Sequence, residues 1–298
     1  MKILITGSNG LLGQKLVRKL SKDSEVELIA TARGENRLSN KEGYEYCSLD
    51  ITDEKAVAET VAKYKPDSVI HTAAMTNVDA CEADKEGCDK LNVDATQYIA
   101  DACKANNAHL VHLSTDFIFD GEDGPYDEEA KPNPISYYGE SKLKAEEIVL
   151  ESEMEAAILR TVLVYGIAED MSRSNIALWA KGALSKGQQI NVVDDQFRSP
   201  TLAEDLADGC ILAAKQKAKG IYNISGKDQL SVLEIVQQVA DFWKLDKSLI
   251  NPVSSTTLSQ PAKRPPKTGF ILDKAIRELG YKPHSFMEGL AVLDEQMK

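Results

Sequence analysis

The chain has 298 residues, a formal net charge of -12, 43% hydrophobic and 28% charged residues. That composition suits a globular chain of one large or two modest domains. The acidic balance argues against a general nucleic-acid or anionic-membrane surface, since both need basic patches, so any phosphate site must be local.

Lys2-Ile3-Leu4-Ile5-Thr6 reads as a buried strand, and Met1 leads straight into it. No apolar run approaches a membrane span, so neither a signal peptide nor an anchor is expected. The strand runs into Gly7-Ser8-Asn9-Gly10-Leu11-Leu12-Gly13 and then a helical pattern through Leu20. Glycines at this spacing permit a tight turn, close approach of backbone to a pyrophosphate at the helix N-terminus, and close helix-strand packing. A lone glycine triplet also fits an ordinary strand-to-helix turn, but the strand before and the helix after it point to a dinucleotide. The second strand, residues 25–31, leads into Ala32-Arg33, where a free ribose 2′-hydroxyl would call for Asp or Glu. Arg33 suits a 2′-phosphate, which favours NADPH with NADH possible; the competing reading pairs it with a carboxylate such as Glu35.

Further strand-like runs fall at 44–48, 68–72, 108–114 and 157–162, alternating with helical patterns at 53–63, 88–106 and 138–151. The alternation implies an α/β fold of Rossmann type, a doubly wound parallel sheet, over residues 1–165. After Tyr165-Gly166 the regularity fails. Helical patterns at 175–186, 203–214, 232–243 and 273–279, with short strands and Pro-rich connections, read as a smaller substrate lobe over 166–298, partly returning to the sheet. Residues 260–267 carry three prolines and three basic residues; such a loop suits a diphosphate, or is simply solvated. The five cysteines are odd in number and lack a Cys-x-x-Cys pair, which predicts reduced thiols in a cytoplasm. Four scattered histidines supply no metal spacing, and His71 and His112 read as packed core residues of apolar strands.

Two segments carry the chemistry. In Tyr138-Gly139-Glu140-Ser141-Lys142 one helical turn stacks Tyr138 and Lys142 on one face, where an ammonium lowers the phenol pKa and lets it exchange a proton with a carbonyl or carbinol oxygen. Such spacing is common on amphipathic helices. Leu110-Val111-His112-Leu113-Ser114-Thr115-Asp116 is an apolar strand ending in hydroxyls, at the carboxyl end where ligands of open α/β sheets collect. Thr115 can hold the substrate oxygen against Tyr138, or a hydroxyl there can cap a turn.

With these motifs the chain resembles the extended short-chain dehydrogenase/reductase family, in its dTDP-4-dehydrorhamnose reductase branch. The resemblance rests on Gly7 to Gly13, on Ala73-Ala74-Met75-Thr76-Asn77-Val78-Asp79 with Glu82, on Ser114 to Gly121, on Tyr138 with Lys142, on Asp195-Gln196-Phe197-Arg198-Ser199-Pro200-Thr201, and on Arg264-Pro265. It implies that Thr115, Tyr138 and Lys142 are catalytic and that the substrate is a nucleotide-linked 4-keto-6-deoxy sugar. It further implies that Leu11, Leu12, Ala74, Met75 and Thr76 line the cofactor and that Asp50-Ile51 meets the adenine. Asn92 resembles an Asn that helps place the lysine through water, although an interior Asn bonded to helix backbone reads as well. Asp116 resembles a substrate contact, or a carboxylate bonded to turn amides, and Asn175, Gln196, Arg198 and Arg264 resemble diphosphate or nucleoside contacts. Leu163 stands beside the sugar where the family has Trp, and Phe117 and Met75 where it often has Tyr, so another 4-keto sugar is open. A 4,6-dehydratase would place Asp-Glu after the threonine, whereas Asp116 precedes Phe117. An epimerase with tightly held NAD and a non-catalytic regulatory or scaffold homologue remain as alternatives. A homodimer is the family default.

Overall fold

In the computed structural model, which describes residues 1–170, 174–257 and 260–298, the apolar runs of the first half become strands of one sheet. These are β1 (Lys2–Thr6), β2 (Glu27–Ala32), β3 (Glu45–Ser48), β4 (Ser68–His71), β5 (His109–Thr115) and β6 (Ala156–Thr161). A seventh strand, β11 (Gly220–Asn223), comes from the second half and pairs with β6, giving the order β3-β2-β1-β4-β5-β6-β11 with every pairing parallel. Both faces are covered, which is why these strands read as near-continuous apolar runs. Along β1, Ile3 and Ile5 enter one core with α1 (Leu11–Leu20) and α8 (Ala203–Gln216), while Leu4 enters the other with α2 (Glu54–Tyr64) and α5 (Ala95–Ala105). The strand order reverses between β1 and β4, so their carboxyl ends open the crevice where this architecture takes ligands.

The expected helix over 88–106 is interrupted. The chain forms α3 (Val78–Ala83) and α4 (Lys85–Asp89), then a wide π turn over Lys90–Asp94 before α5. Asn92 sits in that turn with its side chain bonded to groups outside the helix. The pattern at 273–279 likewise closes as a π turn over Ala275–Leu279. Tyr138 and Lys142 ride on α6 (Tyr137–Glu151), which starts at a Ser136 cap and at Glu82, whose carboxylate accepts from the Tyr137 amide at 2.7 Å.

In the second half, α7 (Ile176–Ser185), α9 (Val232–Trp243) and α10 (Phe286–Gln296) pack around a third core that holds Tyr165, Ile235, Val239, Phe286 and Leu290. Three short pairings edge it: β7 (Val164–Tyr165) with β10 (Thr201–Leu202), β8 (Ile190–Val193) with β13 (Ile250–Val253), and β9 (Phe197–Arg198) with β12 (Leu230–Ser231). Helix α10 is absent from the sequence expectations although Ser285 and Glu288 form a capping box at its start. All five cysteines are free, and among the described residues no helix is long and apolar enough to cross a membrane.

Candidate active site

The glycine turn closes tightly at the end of β1. Gly10 N donates to the Gly7 carbonyl at 2.9 Å, and Ser8 N donates to the Thr31 carbonyl on β2 at 2.9 Å. Gly7 has φ +72, and a Cβ there would sit 2.8 Å from Thr72 Oγ1; a Cβ on Gly13 would sit 2.2 Å from the Gly7 carbonyl oxygen. Only glycine fits either position. Helix α1 begins without a side-chain cap and without an acid in its first turn, unlike α2, α6 and α9, so its leading amides stay available to an anion. The Ser8 hydroxyl is buried and finds no partner among the described residues, and Leu11 and Leu12 lie half-buried at the turn.

Asn9 ties this turn to the segment after β2, donating Nδ2 to the Glu35 carbonyl at 2.8 Å and accepting from Arg37 N at 2.9 Å. Arg33 is exposed, and no ion pair within 4.0 Å, to Glu35 or any other carboxylate, is found for it among the described residues. Asp50, at the end of β3, is held below the usual carboxylate range by the Thr52 amide and hydroxyl, with a smaller contribution from the Arg33 charge; Ile51 is buried beside it. These features fit a phosphorylated dinucleotide: amides and a spare hydroxyl at the turn, and an uncommitted guanidinium at the end of the second strand.

Ala74, Met75 and Thr76 follow β4 on a loop that Asn92 anchors. Its Oδ1 accepts from Met75 N at 2.8 Å, while Nδ2 reaches the Met75 carbonyl at 3.1 Å and Ser141 Oγ at 3.0 Å. Asn92 thus bonds the loop backbone and the helix between Tyr138 and Lys142, a long-range role that its own helix did not announce.

Thr115, Tyr138 and Lys142 are all buried at the carboxyl ends of β4 and β5. The Tyr138 phenol is pushed up by burial, opposed by a hydrogen bond with Thr115 and reinforced by the Asp116 carboxylate. The expected depression by the ammonium is therefore overturned: desolvation dominates, and the phenol stays protonated. Lys142 is brought down to about 8 by the same desolvation, with Glu146 pulling the other way. Its Nζ stands 3.3 Å from His112 Nε2. Reading His112 as core packing missed this contact; the available signal was a titratable residue in mid-strand between the apolar Leu110-Val111 and Leu113. His71 lies beside it, ring centroids 5.7 Å apart, with Nδ1 at 2.7 Å from Thr6 Oγ1.

Beyond Thr115 the site turns ionic. Thr115 Oγ1 donates to Asp116 Oδ1 at 3.1 Å, and Thr268 Oγ1 donates to Asp116 Oδ2 at 2.5 Å. Burial raises the Asp116 carboxyl, opposed first by the Arg198 charge. Arg198 is itself buried, stands 5.9 Å from the Phe117 ring centroid and donates to Gln196 Oε1 at 3.4 Å, so Thr115, Asp116, Gln196 and Arg198 gather in one place. Arg264 pairs with Asp79 at 2.7 Å, and this contact, with the Ala262 amide on the same carboxylate, straps the 260–267 segment across α3. Asn175 caps α7, accepting from Leu178 N at 3.2 Å and donating to the Gly166 carbonyl at 2.7 Å, and Leu163 has a left-handed φ of +38 between β6 and β7.

A profile described as "RmlD substrate binding domain" matches residues 1–298. Methionine adenosyltransferase 2 subunit beta of Xenopus laevis is 32% identical over 259 residues, covering 85% of this chain and 75% of that protein. The probable low-salt glycan biosynthesis reductase Agl14 of Haloferax volcanii is 30% identical over 299 residues, covering 99% of this chain and 97% of that one. Among solved structures, a dTDP-4-dehydrorhamnose reductase of Bacillus anthracis in complex with NADP matches with a TM-score of 0.84 at 28% identity, covering 99% of each chain. The match runs the full length of the chain and the sheet is the Rossmann type of these enzymes, so the protein belongs to the RmlD substrate binding domain family, among the oxidoreductases of extended short-chain dehydrogenase/reductase type.

Proposed function

We propose that the protein reduces the 4-keto group of a nucleotide-linked 4-keto-6-deoxy sugar with NADPH. The reading is carried by the buried Thr115, Tyr138 and Lys142 set beside the glycine turn, with Asp116 and Arg198 continuing from Thr115. When bound, the nicotinamide supplies the hydride for the carbonyl carbon. Tyr138, kept protonated by burial, donates its proton to the carbonyl oxygen, and Thr115 turns its O–H from Asp116 to hold that oxygen. Lys142 stabilises the resulting phenolate and bonds the nicotinamide ribose. The amides of Leu11 to Gly13 and the Ser8 hydroxyl would hold the pyrophosphate, Arg33 the 2′-phosphate, and Asp50 and Ile51 the adenosine, while Leu11, Leu12 and the Asn92-anchored loop Ala74 to Thr76 would line the cofactor. Asp116, Gln196, Arg198 and Arg264 face the sugar diphosphate, Arg264 being released from Asp79, with Leu163 and Asn175 at the sugar and nucleoside end.

Purified protein with NADPH and a panel of 4-keto sugar nucleotides, followed by loss of reduced-cofactor absorbance, tests this. Turnover on at least one is expected. Turnover on none, with NADPH still bound, supports the second reading, a non-catalytic regulatory or scaffold chain, which the likeness to a methionine adenosyltransferase subunit favours. Sugar interconversion without net cofactor consumption would make it an epimerase.

A further inference from the structure

Lys142 has one polar neighbour that the proposed chemistry does not use. His112 and Lys142 are 1% and 4% exposed, and Nζ lies 3.3 Å from His112 Nε2. An ammonium only donates, so the contact requires a lone pair on Nε2 and the proton on Nδ1. Nδ1 is buried with no partner among the described residues, leaving the lysine to select the ring's tautomer. His112 is held neutral, well below the usual histidine range, by burial, then by the Lys142 charge and by His71.

We infer that His112 is a positioning residue: a neutral acceptor on β5 that pins one N–H of Lys142 and leaves the other two free for Tyr138 and the cofactor ribose. The inference rests on the role proposed above for Lys142. The groups acting on the ammonium are Glu146 on its own helix, Cys88 on α4, and His112 backed by His71 on the sheet, with Tyr138 one turn earlier on the same helix. Of these, the Glu146 carboxylate is already bound by Arg160 through two bonds of 3.0 and 2.8 Å, which leaves the imidazole to fix where the ammonium points. A neutral acceptor also aims the lysine without restoring its pKa to the ordinary range, which a second carboxylate would do.

The test begins with the protein alone. With only four histidines in the chain, 15N-labelled imidazoles can be assigned by loss of one signal in His112→Gln. At pH 7, His112 is expected neutral with Nδ1 protonated; a charged ring, or one protonated at Nε2, overturns the inference. NADPH affinity supplies a second readout. It should weaken as pH rises through about 8, where Lys142 loses its proton. His112→Leu removes the acceptor and so destabilises the ammonium: this limb should move to lower pH and turnover at pH 7 fall roughly ten-fold, the worth of one hydrogen bond to a charged group. His112→Gln, whose Oε1 can accept, should restore both. Equal behaviour of the Leu and Gln variants refutes the role. If Leu does not fold, the wild-type spectrum still decides; if no 4-keto sugar turns over in wild type, the proposed reaction fails while tautomer and binding limb continue to test His112.

Discussion

Replacing Arg33 by Ala separates the two nicotinamide cofactors. The guanidinium is exposed at the end of β2 without an ion pair among the described residues, so its removal breaks no bond that holds the fold together. Its neighbours stay in place, because Asn9 clamps the following segment through the Glu35 carbonyl and the Arg37 amide, neither of which involves the Arg33 side chain. A guanidinium gripping a 2′-phosphate makes charge-assisted bonds worth about 1.5 to 3 kcal/mol, and exposure favours the lower half of that range. The NADPH dissociation constant should rise roughly ten- to fifty-fold, while NADH, which offers a hydroxyl there, should scarcely change. Added salt should shrink the wild-type preference for the same reason. Fluorescence titration of both cofactors against both proteins measures it. Equal weakening of the two would make Arg33 structural, and a wild type that prefers NADH would refute the reading of this strand end.

Tyr138→Phe should lower turnover by roughly two to four orders of magnitude with cofactor affinity unchanged, and near-normal rates in a steady-state assay would remove Tyr138 as the acid. Lys142→Met should lose both turnover and NADPH affinity yet gain stability. The fall of Lys142 from 10.5 to about 8 corresponds to about 3 kcal/mol against the folded state, offset by about 1 to 2 kcal/mol for the orphaned His112 nitrogen. Between pH 8 and 10.5 the unfolded chain keeps this proton and the folded one releases it, so the wild-type penalty fades as pH rises and the variant's advantage in urea midpoint should fade with it; a variant less stable at pH 7 contradicts the argument. Gly13→Ala drives a Cβ to 2.2 Å from the Gly7 carbonyl and should cost about 1 to 3 kcal/mol in unfolding together with measurable NADPH binding. Arg160→Leu strands the Glu146 carboxylate, 1% exposed, and should destabilise by about 3 to 5 kcal/mol in chemical denaturation, far more than loss of any surface ion pair.

What could be read from the sequence alone was what neighbours along the chain dictate. Three glycines at fixed spacing between a strand and a helix set the turn, because the left-handed φ of Gly7 and the clashes avoided at Gly10 and Gly13, both with the Gly7 carbonyl, are local, although the clash avoided at Gly7 itself is with Thr72 across the sheet. Tyr138 and Lys142 share a face because a helix repeats every 3.6 residues. Alternating strand and helix patterns gave the parallel sheet, and Ser285 with Glu288 would have given α10 by the same local logic. Tertiary structure decided everything that depends on burial or on distant partners. Asn92 widens its helix into a π turn to reach Met75 and Ser141, Arg264 meets Asp79 across 185 positions, and His112 becomes the companion of Lys142 only when β5 and α6 pack together. The Tyr138 phenol moves opposite to its expected direction for the same reason: spacing identifies which charges are near, but the cost of leaving water is set by the atoms that close over the site.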